Sequence, residues 1–283
     1  MLPTEKQISK MKGIQLEILI EFARFCSTYD IKYQITAGTL LGAVRHKGFI
    51  PWDDDIDVLM LREDYEKFLN LAKQLFNTAY FVQNYKSDKK VFHYITRIRK
   101  SNTLALQDMT QHLDIHQGIS IDLFPVDKLP DNPLIFQAEV FILCCLNNLK
   151  ALKLKKRAFR SRNKFLLALK ITVYFIIKPF PLYLFNYLKN LIIKKFYVFE
   201  GGKYSLLSAS DLNELTNYTF DKKVYQEYIE LEFEGHKFLS PKDYHYFLSK
   251  VFGNYMELPP EAERISSHEI IKIVIKSNSA DNE

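Results

Sequence analysis

The first half of the chain alternates between apolar residues at helical spacing and apolar residues at strand spacing. From Glu5 to Tyr29, Ile8, Met11, Leu19 and Phe22 lie roughly on one face, which predicts an amphipathic helix. The same reasoning predicts two further helices, at Thr39–Arg45 and Asp64–Phe76. Period-two alternation and β-branched residues predict strands at Ile31–Thr36, Asp55–Leu61, Tyr80–Gln83, Phe92–Arg99, Thr103–Gln107 and Gly118–Pro125.

The C-terminal region carries a helix signal at Ser240. Ser240 suits an N-cap, Pro241 the first helical position and Asp243 the third, and Gly253 follows the apolar face as a stop. Residues 276–283 are polar and predict a disordered tail. The pattern predicts an α+β fold with a mostly helical C-terminal half and no internal repeats.

Composition adds broad limits. The chain has 283 residues, 47% apolar and 25% charged, which suits one sizeable core or one core plus a smaller subdomain. Its three cysteines, Cys26, Cys144 and Cys145, show no metal-ligand spacing and indicate a reduced cytoplasmic location. The N-terminus lacks the apolar stretch of a signal peptide, so we expect none.

Charge is segregated along the chain. Residues 140–199 contain 13 Lys and Arg and no Asp or Glu, whereas the whole chain has a net charge of only +6. A dense basic run precedes apolar, aromatic sequence; it comprises Lys150, Lys153, Lys155, Lys156, Arg157, Arg160, Arg162 and Lys164.

This basic and apolar segment has two main interpretations. Lys170, Lys178, Pro179 and Pro181 interrupt its apolar run, so we expect no membrane-spanning helix there. It either lies on an anionic membrane surface or packs internally as a helical subdomain with solvated lysines. A nucleic-acid patch is the weakest reading because no recognisable nucleic-acid module accompanies it.

The most informative chemistry lies between Gly38 and Val58. A Gly38-Thr39 turn precedes four aspartates, of which Asp55 and Asp57 should project from one strand face. Two adjacent carboxylates repel each other unless a hard divalent cation lies between them. A cation beside a backbone turn that binds phosphate is the equipment of phosphoryl or nucleotidyl transfer. A solvated acidic loop is the plain alternative, which the interleaved Ile56 and Val58 disfavour.

Other candidates follow on later predicted strands. Asp122 is flanked by apolar residues and is the candidate third carboxylate, although it could instead cap the following turn. Arg97 and Arg99 share a strand face and are candidates for binding a diphosphate, or are surface arginines on an edge strand. His116 could orient a substrate or act as a base, or simply be solvated.

Three blocks of this sequence resemble the LicD family of phosphotransferases. The run from Gly38 to Tyr65 closely resembles the family signature, and Gly118–Pro125, followed by Asp127, resembles the second block. Phe252–Pro260 resembles the closing block, with Phe252 and Asn254 departing from it. The family is in turn similar to the nucleotidyltransferase superfamily and to fukutin-type ribitol-phosphate transferases.

The resemblance implies a fold and a reaction. It implies a nucleotidyltransferase-like core at residues 1–130, a basic helical segment at 131–200 and a helical part completing the site at 201–275, before the tail. The implied reaction is transfer of phosphocholine from CDP-choline to a sugar of a lipid-linked or lipid-anchored glycan, of teichoic acid or lipopolysaccharide type. CDP-ribitol or CDP-glycerol as donor, and a catalytically silent membrane-docking module, are the alternatives.

The resemblance also implies roles for the candidate residues. Asp55, Asp57 and Asp122 would hold Mg²⁺, or Mn²⁺, with Asp122 either a metal ligand or the acceptor of the sugar's proton. The donor's phosphates would lie against the Gly38-Thr39 turn and near Arg45 and Lys47. Since the acceptor is expected to be lipid-linked, we expect a cytoplasmic enzyme at the inner face of the membrane, with no nucleic-acid partner.

Overall fold

The structure is a computed structural model that describes residues 3–75, 79–108, 110–154, 163–209, 212–266 and 270–275. Its helices are α1 (Glu5–Thr28), α2 (Ala37–His46), α3 (Arg62–Leu75), α4 (Pro133–Leu154), α5 (Lys164–Ile177), α6 (Leu182–Phe196), α7 (Leu212–Asn217), α8 (Lys222–Gln226) and α9 (Tyr244–Phe252). Its strands are β1 (Gln34–Ile35), β2 (Asp57–Leu61), β3 (Tyr80–Gln83), β4 (Thr96–Lys100), β5 (Thr103–Gln107), β6 (Ser120–Lys128), β7 (Lys203–Ser205), β8 (Phe220–Asp221), β9 (Tyr228–Phe233), β10 (His236–Pro241) and β11 (Ile270–Ile275). The α+β class predicted from the sequence is confirmed.

The chain divides into two compact units. The first comprises residues 1–83, 95–126 and 220–283, and the second comprises 84–94 and 127–219. The boundaries predicted at residues 130 and 200 stay predictions. The predicted tail at 276–283 and the basic residues between 155 and 162 lie outside the described residues.

The first unit is built on a mixed sheet with the order β1-β2-β6-β4-β3. β2 and β6 run parallel, and β4 pairs with β6 antiparallel. β2 is buried on both faces, since Val58, Leu59 and Met60 are all inaccessible to solvent. Strict alternation of buried and exposed residues is therefore absent, as expected for a central strand covered on both sides. Two antiparallel pairs, β9 with β10 and β5 with β11, complete this unit.

Helix α1 supplies much of the core of the first unit. It begins with a capping box in which the Thr4 hydroxyl accepts the Gln7 N–H and the Gln7 side chain accepts the Thr4 N–H. Its buried face includes Met11, Leu19 and Phe22. The Phe22 ring meets that of Phe68 edge-on, with the centroids 5.4 Å apart. The predicted helix and its apolar face are confirmed, with Gln15 as an additional buried member.

Three local predictions were wrong. β2 begins at Asp57, so Asp55 lies in the loop before the strand. Ser240 is not an N-cap, because it pairs with Ile229 in the β9–β10 hairpin; Asp243 caps α9 instead by accepting the Tyr246 N–H. The same hairpin, together with β11, makes the region after residue 200 mixed rather than mostly helical.

The second unit is formed mainly by α4, α5 and α6. An apolar cluster lies between them and the neighbouring segments and includes Tyr94, Leu143, Ile193 and Leu207. One buried polar contact joins this cluster to α6: the Tyr94 hydroxyl donates to Asn190 Oδ1 at 3.0 Å. Part of the basic segment is therefore internal packing, as one of the two interpretations predicted.

Helix α4 meets a simple test for a membrane span. Within the described ranges it is the one helix long and apolar enough by length and composition, and only 11% of its most apolar stretch is buried. α5 and α6 would add a second span only if counted together, and they are bent by 92° at their junction. Because core helices of soluble proteins pass this test too, it is weak evidence for a span.

Candidate active site

The candidate carboxylates converge at the start of β2 and β6. Asp57 and Asp122 are direct partners across the parallel pair, and Asp122 is also the partner of Arg97 across the antiparallel pair. The guanidinium of Arg97 donates to Asp122 Oδ2 from Nε at 3.1 Å and from Nη2 at 2.9 Å. Asp122 therefore lies on the strand next to Asp57, and its sharing of one cation with Asp55 and Asp57 stays a prediction.

A second acidic group lies in the loop that leads into β2. Carboxylate oxygens of Asp53, Asp54 and Asp55 all lie within 4.8 Å of one another, close enough to share one cation. Asp53 and Asp54 were not among the sequence-predicted ligands. The proposed set of Asp55, Asp57 and Asp122 remains a prediction, to which the loop geometry adds Asp53 and Asp54 as candidates.

Several carboxylates lie close together at this site, and their mutual repulsion and burial change their pKa values. Burial, followed by the charges of Asp55, Asp122 and Asp53, raises the pKa of Asp57 well above its usual value, and Arg97 opposes the rise. Burial also raises the pKa of Asp53. Such a cluster is costly to fold unless a cation compensates it, so its presence favours a binding role over a packing role.

The Gly38-Thr39 turn lies at the N-terminus of α2, beside the acidic loop. Ala37 has a left-handed backbone, with φ of 47°, which is uncommon for a residue other than glycine and is found at functional sites. The Thr39 hydroxyl accepts the N–H of Asp57 at 2.9 Å and so joins α2 to β2. The turn therefore fixes where the first carboxylate of β2 is placed.

Gly38 has no space for a side chain. A Cβ atom there would lie 1.9 Å from Oδ2 of Asp53, well inside van der Waals contact. The backbone of the turn and the carboxylate of the loop can approach this closely only because position 38 is glycine.

An open cavity of about 490 Å³ adjoins the carboxylates. Its lining includes Asp55, Asp122, Arg97 and Arg99, so both predicted arginines face one space. Arg99 is 5% exposed and donates to the carbonyl of Gly118 at 2.6 Å and to Gln83 Oε1. Two guanidinium groups beside carboxylates give the cavity both signs of charge, which suits a ligand that carries phosphate.

Three further sequence candidates make mainly structural contacts. His116 Nδ1 accepts the Gly118 N–H at 3.2 Å, and its ring stacks on Phe81. Arg45 donates to the carbonyl of Tyr255 at 3.0 Å. Lys47 is exposed and caps the C-terminus of α2, the end opposite the Gly38-Thr39 turn. Their proposed roles in substrate binding remain predictions.

Two residues of α1 belong to the site and were missed from the sequence. Gln15 is 4% exposed, lines the cavity and donates through Nε2 to the carbonyls of Asp54 at 2.9 Å and Ser120 at 3.4 Å. Lys12 Nζ donates to the carbonyl of Pro51 at 3.3 Å. The signal for Gln15 was an uncharged polar residue four positions after Met11 and four before Leu19, on the helix's apolar stripe.

The C-terminal segment also reaches the acidic loop. The Ser266 hydroxyl donates to Asp54 Oδ2 at 2.6 Å, and the Arg264 guanidinium lies 5.6 Å from the centroid of Trp52. Arg45 lies over the same ring at 6.0 Å. The guanidinium groups of Arg264 and Arg45 therefore both lie against Trp52, the residue before Asp53. Their positive charges offset part of the negative charge of the loop.

We expect Gln15→Leu to loosen the acidic loop. It removes both bonds to backbone carbonyls, so the free energy of unfolding should fall by about 1–3 kcal/mol and turnover should fall with it. Gln107→Leu, which alters the same cavity wall, is the matched control. Urea denaturation and activity measurements compare the two, and equal behaviour of both variants would remove Gln15 from a positioning role.

Comparison with known proteins places this geometry in a family. Residues 30–135 match the family model described as LicD/FKTN/FKRP, nucleotidyltransferase domain. The lipopolysaccharide cholinephosphotransferase LicD of Haemophilus influenzae is 31% identical over 258 residues, covering 89% of this chain and 92% of that protein. Uncharacterized proteins of Rickettsia typhi and Rickettsia prowazekii are 37% and 38% identical over 81 and 88 residues, about a third or less of each chain.

The matched region contains the sites described above. The family model covers the Gly38-Thr39 turn, the acidic loop, both arginines and Asp122. The similarity to the Haemophilus protein extends over both compact units. This chain therefore belongs to the LicD family and is a phosphotransferase, as the resemblance of its sequence blocks implied.

Proposed function

We propose that this enzyme transfers phosphocholine from CDP-choline to a sugar hydroxyl of a cell-surface glycan precursor. The observation that carries the proposal is the near full-length similarity to a protein named as a lipopolysaccharide cholinephosphotransferase. The acceptor is therefore a glycan of lipopolysaccharide type, with teichoic acid as the variant. The clustered carboxylates beside two arginines support a reaction at phosphate.

The acidic residues suit Mg²⁺, or Mn²⁺ as a substitute. Both ions prefer carboxylate oxygens, and the oxygens of Asp53, Asp54 and Asp55 lie within 4.8 Å of one another. Asp55, Asp57 and Asp122 are the proposed ligands, with Asp53 and Asp54 as additional candidates. When bound, the ion would neutralise charge on the donor's phosphate oxygens.

The protein's own groups bind and orient the reactants. Arg97 and Arg99 line the cavity and supply the donors that a diphosphate requires. The sugar oxygen attacks the phosphorus that bears choline, the bond from that phosphorus to the CMP oxygen breaks, and CMP leaves. Asp122 uses Oδ2 for Arg97, so its Oδ1 is the atom that would either bind the ion or accept the hydroxyl proton.

The fold supports this assignment at a coarser level. A turn and helix α2 precede β2, which bears Asp57, and the neighbouring strand β6 supplies Asp122. This order matches the arrangement expected for a nucleotidyltransferase-like fold, and we propose that relationship for the first unit. The retained aspartates argue against a catalytically silent binding module.

The donor is tested with a panel of CDP-alcohols. With a glycan acceptor present, we expect CDP-choline to release CMP at least about tenfold faster than CDP-ribitol or CDP-glycerol, since a difference in one bound group is worth about this factor or more. A chelator should stop release and added Mg²⁺ should restore it. Faster turnover of CDP-ribitol or CDP-glycerol would reassign the donor within the same chemistry, and turnover of none would refute the proposal.

A further inference from the structure

Helix α5 exposes apolar side chains, whereas a surface helix normally exposes polar ones. Its outward face carries Phe165, Leu169, Phe175 and Ile176, whose exposed fractions run from 50% to 75%. Among its described side chains only Ile177 is buried, and Lys170 is only half-exposed. A helix on the surface of a soluble protein normally places polar residues outward, so this face is built to be covered.

The helix itself is well defined at both ends. Asn163 Oδ1 accepts the N–H groups of Phe165 at 2.9 Å and Leu166 at 3.3 Å. At the other end, Lys153 of α4 donates to the carbonyl of Lys178 at 2.8 Å, where a cation favours a helix C-terminus. The exposed apolar residues therefore stand on a fixed element of the second unit.

We propose that the outward face of α5 inserts into the interface of an anionic lipid bilayer. The 14 residues of α5 rise about 21 Å, which is short of the ~30 Å hydrocarbon core, and α6 turns away by 92°. An interfacial helix needs only a single apolar face, with cations nearby that remain in the headgroup layer.

Charge selects lipid over a second copy of the chain as the partner. Residues 140–199 carry 13 cations without a single acid, so two such segments facing each other would repel. An anionic surface instead attracts them, by about 1 kcal/mol for each cation near it. The side chains of Lys164, Lys178, Lys194 and Lys195 are exposed to solvent.

Some of the lysines in residues 140–199 are buried in the structure and cannot contact the lipid headgroups. Lys189 is 2% exposed, and burial lowers its pKa to about 7. Lys150 donates to Asn186 Oδ1 at 3.0 Å, and burial lowers its pKa to about 8. Because two of the 13 cations are internal, Lys189 fully and Lys150 in part, the apolar face together with the remaining charge should set the affinity.

Vesicle binding by the full chain tests this inference. Phe175→Gln with Ile176→Gln should weaken binding to phosphatidylglycerol-containing vesicles by about tenfold or more, at low and at high salt, because each lost apolar side chain costs insertion energy. The control is Leu212→Gln with Ile229→Gln, which changes two exposed apolar residues outside α4–α6 and should bind like the wild type.

A second measurement separates insertion from unfolding. Phe175→Trp adds a fluorophore to the apolar face, and bromine-labelled lipid should quench its emission beyond that of the native Trp52. Equal binding of the paired variants, no binding by the wild type, or no added quenching would overturn the proposal. So would a dimer that the Phe175 and Ile176 changes dissociate. None of these results depends on the donor or on turnover.

Discussion

Asp57→Asn is expected to lower turnover by at least about a hundredfold while leaving the fold intact, and Asp55→Asn to do the same. Removing one group that stabilises the charge developing on phosphate in the transition state typically lowers turnover by about this factor. Asp57 stands opposite Asp122 and within the electrostatic influence of Asp55 and Asp53. Removing its charge relieves repulsion, so thermal stability without metal should stay the same or rise.

The metal effect on stability gives an independent readout. Because an ion that binds only the folded state stabilises it by mass action, Mg²⁺ should raise the Tm of the wild type and not that of the Asp55→Asn/Asp57→Asn variant. Asp30→Asn is the matched control, since the Asp30 side chain is 83% exposed and forms an ion pair with Lys32 at the surface. Full activity in the double variant, or activity that a chelator does not change, would refute the assignment of Asp55 and Asp57 as metal ligands.

Much of the first unit could be predicted because its signals are local. The apolar face of α1, the turn at Gly38 and the apolar flanks of Asp122 each depend on a few neighbouring residues. The resemblance to the family implied that Asp122 joins Asp57 at the site, and the structure pairs the two residues across neighbouring strands. The resemblance also supplied the reaction, which the spacing of apolar and polar residues cannot predict.

Other features depend on contacts that sequence patterns do not contain. Gln15 reaches Asp54 and Ser120 across 39 and 105 positions of the chain. Ser240 satisfies every local rule for an N-cap, but its pairing with Ile229 in the hairpin prevails. The sequence pattern of the basic segment is the same whether its lysines are buried or exposed. Only the packing of the folded chain shows that Lys189 is buried.

Gly38→Ala should lower turnover strongly with little change in secondary structure. The new Cβ would lie 1.9 Å from Oδ2 of Asp53, so either the carboxylate or the turn must move by more than an ångström. Either movement disturbs the geometry on which catalysis depends, where a displacement of about 1 Å costs about a hundredfold. Steady-state kinetics, with circular dichroism to confirm the fold, measures both effects.

Gly13→Ala supplies the control for this change. An added Cβ at Gly13 has no atom within 4 Å, and alanine in a helix interior should stabilise α1 by about 0.5–1 kcal/mol. A double-mutant cycle then tests the cause. If Gly38→Ala acts through Asp53, its cost should largely vanish in an Asp53→Ala background, because the clashing carboxylate is gone. An undiminished cost there would place the effect in the backbone of the turn, where Ala37 already holds a left-handed conformation.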